Sequence, residues 1–113
     1  MRGSLLVTAF LALALCGACA REIGDDCSTN TDCGENRICD TSQPGGYCTV
    51  TPCRDDSECP GESICVEFSV DATYCMRACS DLKPCRVEYE CVRDFKDFAP
   101  FCDQALPSAS LLP

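Results

Sequence analysis

The segment "CSTNTDCGENRIC", residues 27–39, contains three cysteines, each separated from the next by five residues. The same spacing returns in "CRDDSECPGESIC", residues 53–65, and in "CSDLKPCRVEYEC", residues 79–91. A fourth cysteine follows each segment after eight, nine or ten residues, at positions 48, 75 and 102. The first cysteines of the three copies lie 26 residues apart. This period indicates a tandem repeat of a C-x5-C-x5-C-x8–10-C unit.

The high cysteine content predicts a small disulfide-rich protein. The chain has 14 cysteines in 113 residues, a density typical of disulfide scaffolds. Each repeat is shorter than the roughly 40 residues below which a chain normally needs disulfides, metals or partners to fold. We therefore expect three tandem four-cysteine repeats, residues 27–48, 53–75 and 79–102, with short β-hairpins and little other regular secondary structure. The cysteines of one repeat can pair in three ways, and their spacing does not choose among them.

The N-terminal segment has the features of an export signal. An apolar run of 11 residues, 5–15, follows a positive charge, which suits a signal-peptide core and is too short to span a bilayer. The expected signal peptide covers residues 1–19. Cleavage after Ala20 fits an A-x-A site, whereas Gly17-Ala18-Cys19 resembles a bacterial lipobox, in which Cys19 would carry the lipid. Either route leaves twelve cysteines for pairing.

Export determines where the protein is expected to act. In an oxidising compartment the thiols pair and stay paired. We expect a protein that is secreted or anchored to the cell envelope, in the outer membrane if it is a bacterial lipoprotein. The linkers between repeats, residues 49–52 and 76–78, are too short for independent motion, so adjacent repeats should touch and form a short rod. The tail, residues 103–113, lacks periodicity and is expected to be disordered.

The charge and composition exclude several functions. The formal charge is −9, with 18 acidic and 9 basic residues, and there is no histidine. Nucleic acid and anionic membrane surfaces repel such a chain, so we expect membrane contact only through a lipid anchor. Nucleophilic and general acid–base catalysis usually employ histidine, and a small repeat has little interior in which to tune a carboxylate. We expect neither enzymatic activity nor a cofactor.

Oxygen-bearing side chains in the first two repeats allow two interpretations. They could bind calcium, which prefers hard oxygen ligands, although no loop matches an EF-hand. Alternatively, their side chains could accept backbone hydrogen bonds and shape the turns between cysteines. The residues are Asn30, Asp32, Asp55, Asp56 and Glu58.

Three phenylalanines in "FKDFAPF", residues 95–101, are more aromatic side chains than one repeat of this size can bury. Phe95, Phe98 and Phe101 could pack onto the disulfides of the third repeat or onto the tail. Otherwise they would form an exposed patch that binds a partner. An aromatic residue also precedes the fourth cysteine of every repeat, as Tyr47, Tyr74 and Phe101.

The motif C-x-x-[ND]-x-[DE]-C-x5-C…[YF]-C, read between Cys27 and Cys102, resembles the cysteine-rich repeats of predicted lipoproteins and secreted proteins of myxobacteria. It is also similar to the first half of Dickkopf-type N-terminal cysteine-rich modules and, more loosely, to EGF-like domains. The resemblance implies an extracellular binding or spacer module without catalytic residues. It also implies first-to-third and second-to-fourth pairing, that is Cys27–Cys39, Cys33–Cys48, Cys53–Cys65, Cys59–Cys75, Cys79–Cys91 and Cys85–Cys102.

Under that pairing the segment between the third and fourth cysteines becomes a hairpin. In the first repeat this segment contains Pro44-Gly45-Gly46, a strong turn signal. In the second repeat, β-branched and aromatic residues flank Asp71-Ala72, where we expect the turn.

These observations predict an exported module, lipid-anchored or free, with a binding or structural role at the cell envelope. Its expected partner is an extracellular or envelope protein. The alternative is a secreted inhibitor or toxin-like effector that presents a disulfide-braced loop, residues 86–90 or 94–100, to a protease or receptor. A braced loop binds well because its ordering entropy is already lost.

Overall fold

The computed structural model describes residues 21–105 and contains one antiparallel hairpin in each repeat. The expected signal peptide, the lipid site at Cys19 and most of the expected tail lie outside these residues. The three two-stranded sheets confirm the predicted fold class of small disulfide-rich hairpin repeats. The elements are helix α1 (Asn30–Cys33), strands β1 (Ile38–Asp40) and β2 (Tyr47–Thr49), a 3-10 turn (Asp56–Glu58), β3 (Ser63–Ser69), β4 (Ala72–Arg77), β5 (Tyr89–Val92) and β6 (Phe101–Gln104).

Two disulfides clamp each loop to its hairpin. In every repeat the first cysteine is joined to the third and the second to the fourth, which is the pairing that the resemblance implies. The third and fourth cysteines face each other across the strands, as Cys39 and Cys48 do in the first hairpin. Directly opposed residues project from the same face of a sheet, so both bridges fix the preceding loop to one face.

Turn residues determine where the first two hairpins reverse direction. In the first repeat, Gly45 and Gly46 have φ values of 69° and 76°, which glycine adopts at little steric cost. A side chain on Gly46 would also overlap the carbonyl oxygen of Cys27. In the second repeat Ser69 pairs with Ala72, which places the turn at Val70-Asp71, one residue before the expected position.

All three repeats contribute to one hydrophobic core, and the predicted short rod is wrong. The four cysteines of the first repeat form a second, smaller cluster. The rings of Tyr47 and Tyr89 lie 5.4 Å apart, which brings the first and third repeats into direct contact. A rod would leave these aromatic side chains in water, whereas mutual packing buries them. The core residues are Ile23, Tyr47, Cys53, Cys65, Val66, Cys75, Met76, Tyr89 and Phe101.

The linkers take part in the fold through hydrogen bonds to the second hairpin. The Cys75 amide donates to the Val50 carbonyl over 2.9 Å, and the Thr49 hydroxyl donates to the Cys75 carbonyl over 2.8 Å. The second linker, residues 76–78, begins inside β4. Its last residue, Ala78, forms a bridge with Phe101 of β6. Successive repeats are therefore joined through backbone pairing as well as side-chain packing.

The residues before the first repeat contribute to the core, which the cysteine pattern does not indicate. Ile23 is fully buried, and its amide donates to a carboxylate oxygen of Glu62 over 3.1 Å. The Gly24 amide donates to the Cys48 carbonyl over 2.9 Å. Arg77 lies 3.3 Å from carboxylates of both Glu22 and Asp25. This segment therefore joins the first repeat to the second.

Candidate functional site

The phenylalanines of residues 95–101 pack against the second repeat. Phe101 is 1% exposed, and its ring meets that of Phe68 edge-on at 5.8 Å. Phe95 lies 5.4 Å from Phe68 and stacks on Phe98 at 6.1 Å. The expectation of an exposed patch is wrong for Phe101, because its position on β6 turns the ring into the shared core. Phe95 and Phe98 are half-buried in the same cluster.

The loop at residues 86–90 is attached to the first repeat. Tyr89 is buried, and its hydroxyl donates to the Pro44 carbonyl over 2.8 Å. The Arg86 guanidinium lies 4.4 Å above the Tyr89 ring and donates to the carbonyls of Pro44 and Gly46. Val87 is 88% exposed. Glu88 and Glu90 are exposed as well, whereas Arg86 and Tyr89 hold the loop against the first repeat.

The acidic loops of the first two repeats use their side-chain oxygens as hydrogen-bond acceptors for the backbone. Asn30 accepts from the Cys39 amide over 2.8 Å, and Asp56 accepts from the Cys65 amide over 2.9 Å. These positions are equivalent in the two repeats. Leu82, at the same position in the third repeat, is 93% exposed.

Three further carboxylates close the same turns. Asp32 accepts from the Ser28 and Thr29 amides, and these bonds lower its pKa. Asp55 accepts from Ser57, which lowers the pKa of Asp55. The remaining carboxylate, Glu58, accepts from the Arg54 amide over 2.6 Å. The five predicted oxygen ligands thus lie in two separate loops, and their contacts support the turn-shaping interpretation.

Replacing Asn30 with alanine is expected to destabilise the protein by about 1 kcal/mol, because the Cys39 amide loses its acceptor in a poorly hydrated position. Thermal unfolding of the oxidised protein would measure this. Asn30→Asp is the matched control, since it retains an acceptor oxygen as Asp56 does in the second repeat. Equal loss of stability in both variants would contradict the assigned hydrogen bond.

An open cleft of about 260 Å³ lies where the three repeats meet, and we call it the acceptor cleft. Asp103 in this cleft is half-buried, and burial raises its pKa against the opposing effect of the Gln104 amide, which donates to it over 2.8 Å. No sequence pattern indicated this site, because its residues come from the first repeat, the second repeat and the end of β6. Asp103 and Gln104 lie in that strand, so the prediction of a disordered tail is wrong for these two residues. The lining residues are Asp40, Ser42, Gln43, Phe68, Ala72, Tyr74, Asp103 and Gln104.

Comparisons with known proteins found no family model, no curated protein and no solved structure that matches this chain. The resemblance to myxobacterial repeats and to Dickkopf-type or EGF-like modules therefore stays a prediction. Within residues 21–105, no helix has the length and apolar character required to cross a bilayer.

Proposed function

We propose that this protein is an exported binding module of the cell envelope. The observation that carries the proposal is the set of six disulfides, two within each repeat. Every cysteine between residues 21 and 105 is paired, which indicates an oxidising environment of the kind found outside the cytosol. A small module stabilised in this way suits an extracellular setting. Export through the N-terminal segment and anchoring through a lipid on Cys19 are parts of the proposal.

Binding is favoured over catalysis by the chemistry of the chain. The protein has no histidine, and we propose no enzymatic role for it. The acceptor cleft combines polar groups with aromatic side chains, a mixture typical of recognition sites. The proposed partner is an extracellular or envelope protein.

The inhibitor alternative is less well supported by the contacts of its two candidate loops. An inhibitory loop must offer a free segment to its target, yet Tyr89 of one loop is buried against the first repeat. In the other loop, Phe95 packs on Phe68 of the second repeat. Each loop therefore keeps one aromatic side chain in internal contacts, where a target could not engage it.

Intact-mass analysis and fractionation of the native protein test the proposal together. We expect a chain that begins at Cys19 or later, has no free thiol, and gains twelve hydrogen atoms on reduction. Recovery in the membrane fraction with an acyl modification on Cys19 would support the anchor, and Cys19→Ser should then release the protein. Recovery from the cytosol with reduced thiols would contradict the whole proposal, and an unmodified soluble form would contradict the anchor.

A further inference from the structure

The polar groups of the acceptor cleft accept hydrogen bonds, and several have no donor. Oδ1 of Asp40 accepts from the Ser42 amide over 3.1 Å, and Oδ1 of Asp103 accepts from the Gln104 amide. Among residues 21–105 no donor contacts the second oxygen, Oδ2, of either carboxylate. The side-chain oxygen of Gln43 is buried and also has no partner within this range. Three acceptor oxygens around one cleft therefore lack a protein donor within residues 21–105. Only the Gln43 oxygen is closed to water, and the two carboxylate oxygens face the open cleft.

Unpaired acceptors are costly when they are removed from water. A buried polar group without a hydrogen bond loses its hydration and gains nothing in return. Asp103 is half-buried, so burial raises its pKa, and no basic residue lines the cleft to balance its charge. The missing component of this site is a donor that carries positive charge.

The aromatic side chains of the cleft indicate which cationic group would serve as that donor. Phe68 and Tyr74 line the cleft, with ring centroids 6.2 Å apart. Aromatic faces attract cations, and the planar guanidinium group stacks on them particularly well. Arginine also has five N–H donors in a fixed planar array, which suits several acceptors at once.

We infer that the acceptor cleft binds an arginine side chain of the partner protein. This inference rests on the proposed binding function and specifies its chemistry. The volume of about 260 Å³ admits one long side chain, and the charge of −9 draws a basic segment towards the surface. The carboxylates of Asp40 and Asp103 receive the guanidinium donors. The rings of Phe68 and Tyr74, inclined at 63° to each other, offer it one face and one edge.

An acetylated and amidated Gly-Gly-Arg-Gly-Gly peptide is a direct probe, with citrulline in place of arginine as its uncharged control. The test is an NMR titration of the oxidised protein. We expect the arginine peptide to shift the resonances of Phe68, Tyr74, Asp103 and Gln104, and the citrulline peptide to bind at least about tenfold more weakly. Equal effects of the two peptides, or shifts that avoid the cleft, would overturn the inference.

Substitutions within the cleft give an independent test. Asp103→Asn should weaken binding of the arginine peptide at least about tenfold, whereas Asp97→Asn, at an exposed acid of the third repeat, should change it less than about twofold. The raised pKa of Asp103 means that its charged form is disfavoured in the folded protein. Asp103→Asn should therefore keep or raise the melting temperature at pH 7, which separates lost binding from lost folding.

Two further outcomes would contradict the inference. Equal weakening by Asp97→Asn would show that only net charge attracts the peptide. A response of the cleft to calcium chloride without a response to the arginine peptide would assign the oxygens to a metal. Fractionation and mass analysis test the proposed function without the cleft, so failure of one proposal can be distinguished from failure of the other.

Discussion

Reduction of all six disulfides is expected to unfold the protein completely at neutral pH and room temperature. The bridges close loops with sequence separations of 12 to 17 residues, and each such loop contributes about 3 kcal/mol in the chain-entropy model. The net stability of a small domain is only about 5–15 kcal/mol, so several lost bridges exceed it. Circular dichroism and NMR chemical-shift dispersion, recorded before and after reduction, would measure the loss of folded structure.

A chelator and a single-bridge variant serve as controls for this prediction. Three sulfur atoms, of Cys53, Cys59 and Cys75, lie within 4.8 Å of one another, an arrangement that paired bridges explain without a metal. EDTA should therefore leave the oxidised fold unchanged. Removing one bridge with Cys59→Ala and Cys75→Ala should cost about 2–5 kcal/mol. Native dispersion that survives full reduction, or unfolding by EDTA alone, would contradict the covalent scaffold.

Replacing Tyr47 with alanine is expected to cost about 3–5 kcal/mol, the usual range for truncating a buried aromatic residue. Tyr47 is 2% exposed, and its ring packs on Tyr89 of the third repeat. Its hydroxyl donates to the Cys102 carbonyl and accepts from the Arg77 amide, both over 2.9 Å. Chemical denaturation of the oxidised variant would measure the change, and an effect below about 1 kcal/mol would contradict a shared core.

Tyr47→Phe isolates the contribution of the hydroxyl. It should cost about 1–3 kcal/mol, because the Arg77 amide and the Cys102 carbonyl lose their partner. Tyr74→Phe, at the equivalent position of the second repeat, is the matched control, since no hydrogen bond of the Tyr74 hydroxyl occurs within residues 21–105. Its stability should stay within about 0.5 kcal/mol of the wild type.

The buried hydroxyl of Tyr47 makes the free energy of unfolding depend on pH in the alkaline range. Burial raises the pKa of Tyr47 above its ordinary value, so the folded protein holds its proton more tightly than the unfolded chain does. The stability from this group is complete below the unfolded pKa of about 10 and falls as the pH rises beyond it. Tyr47→Phe should show a smaller decline in the free energy of unfolding between pH 9 and about 11. A decline equal to that of the wild type would exclude Tyr47 as the cause.

Features within one repeat could be predicted from the sequence because they are local. Pro44-Gly45-Gly46 forms a turn since glycine accepts the positive φ values required there. Asn30 and Asp56 shape their loops by accepting nearby amides. Even here the turn of the second hairpin lies one residue from its expected place, because Ser69 pairs with Ala72 beyond a register shift.

Contacts between repeats could not be predicted in this way. The sequence expectation left Phe101 free to form a partner patch, but Phe68 of another repeat covers it. Ile23 is an isolated apolar residue in a polar segment, so no hydrophobic periodicity indicates its burial. The acceptor cleft likewise depends on Asp40, Phe68 and Asp103, which are far apart in the chain.

By itself, the sequence determined a chain of three cysteine-rich repeats, because a period of 26 residues and an even set of twelve cysteines are properties of order along the chain. Only the tertiary structure decided that side chains of all three repeats meet in a shared core and that a polar cleft opens between the repeats. The physical reason is that aromatic side chains such as Tyr47 and Phe101 bury their surface against whichever repeat comes within reach. That choice depends on the direction in which each hairpin leaves its linker, and cysteine spacing does not encode it.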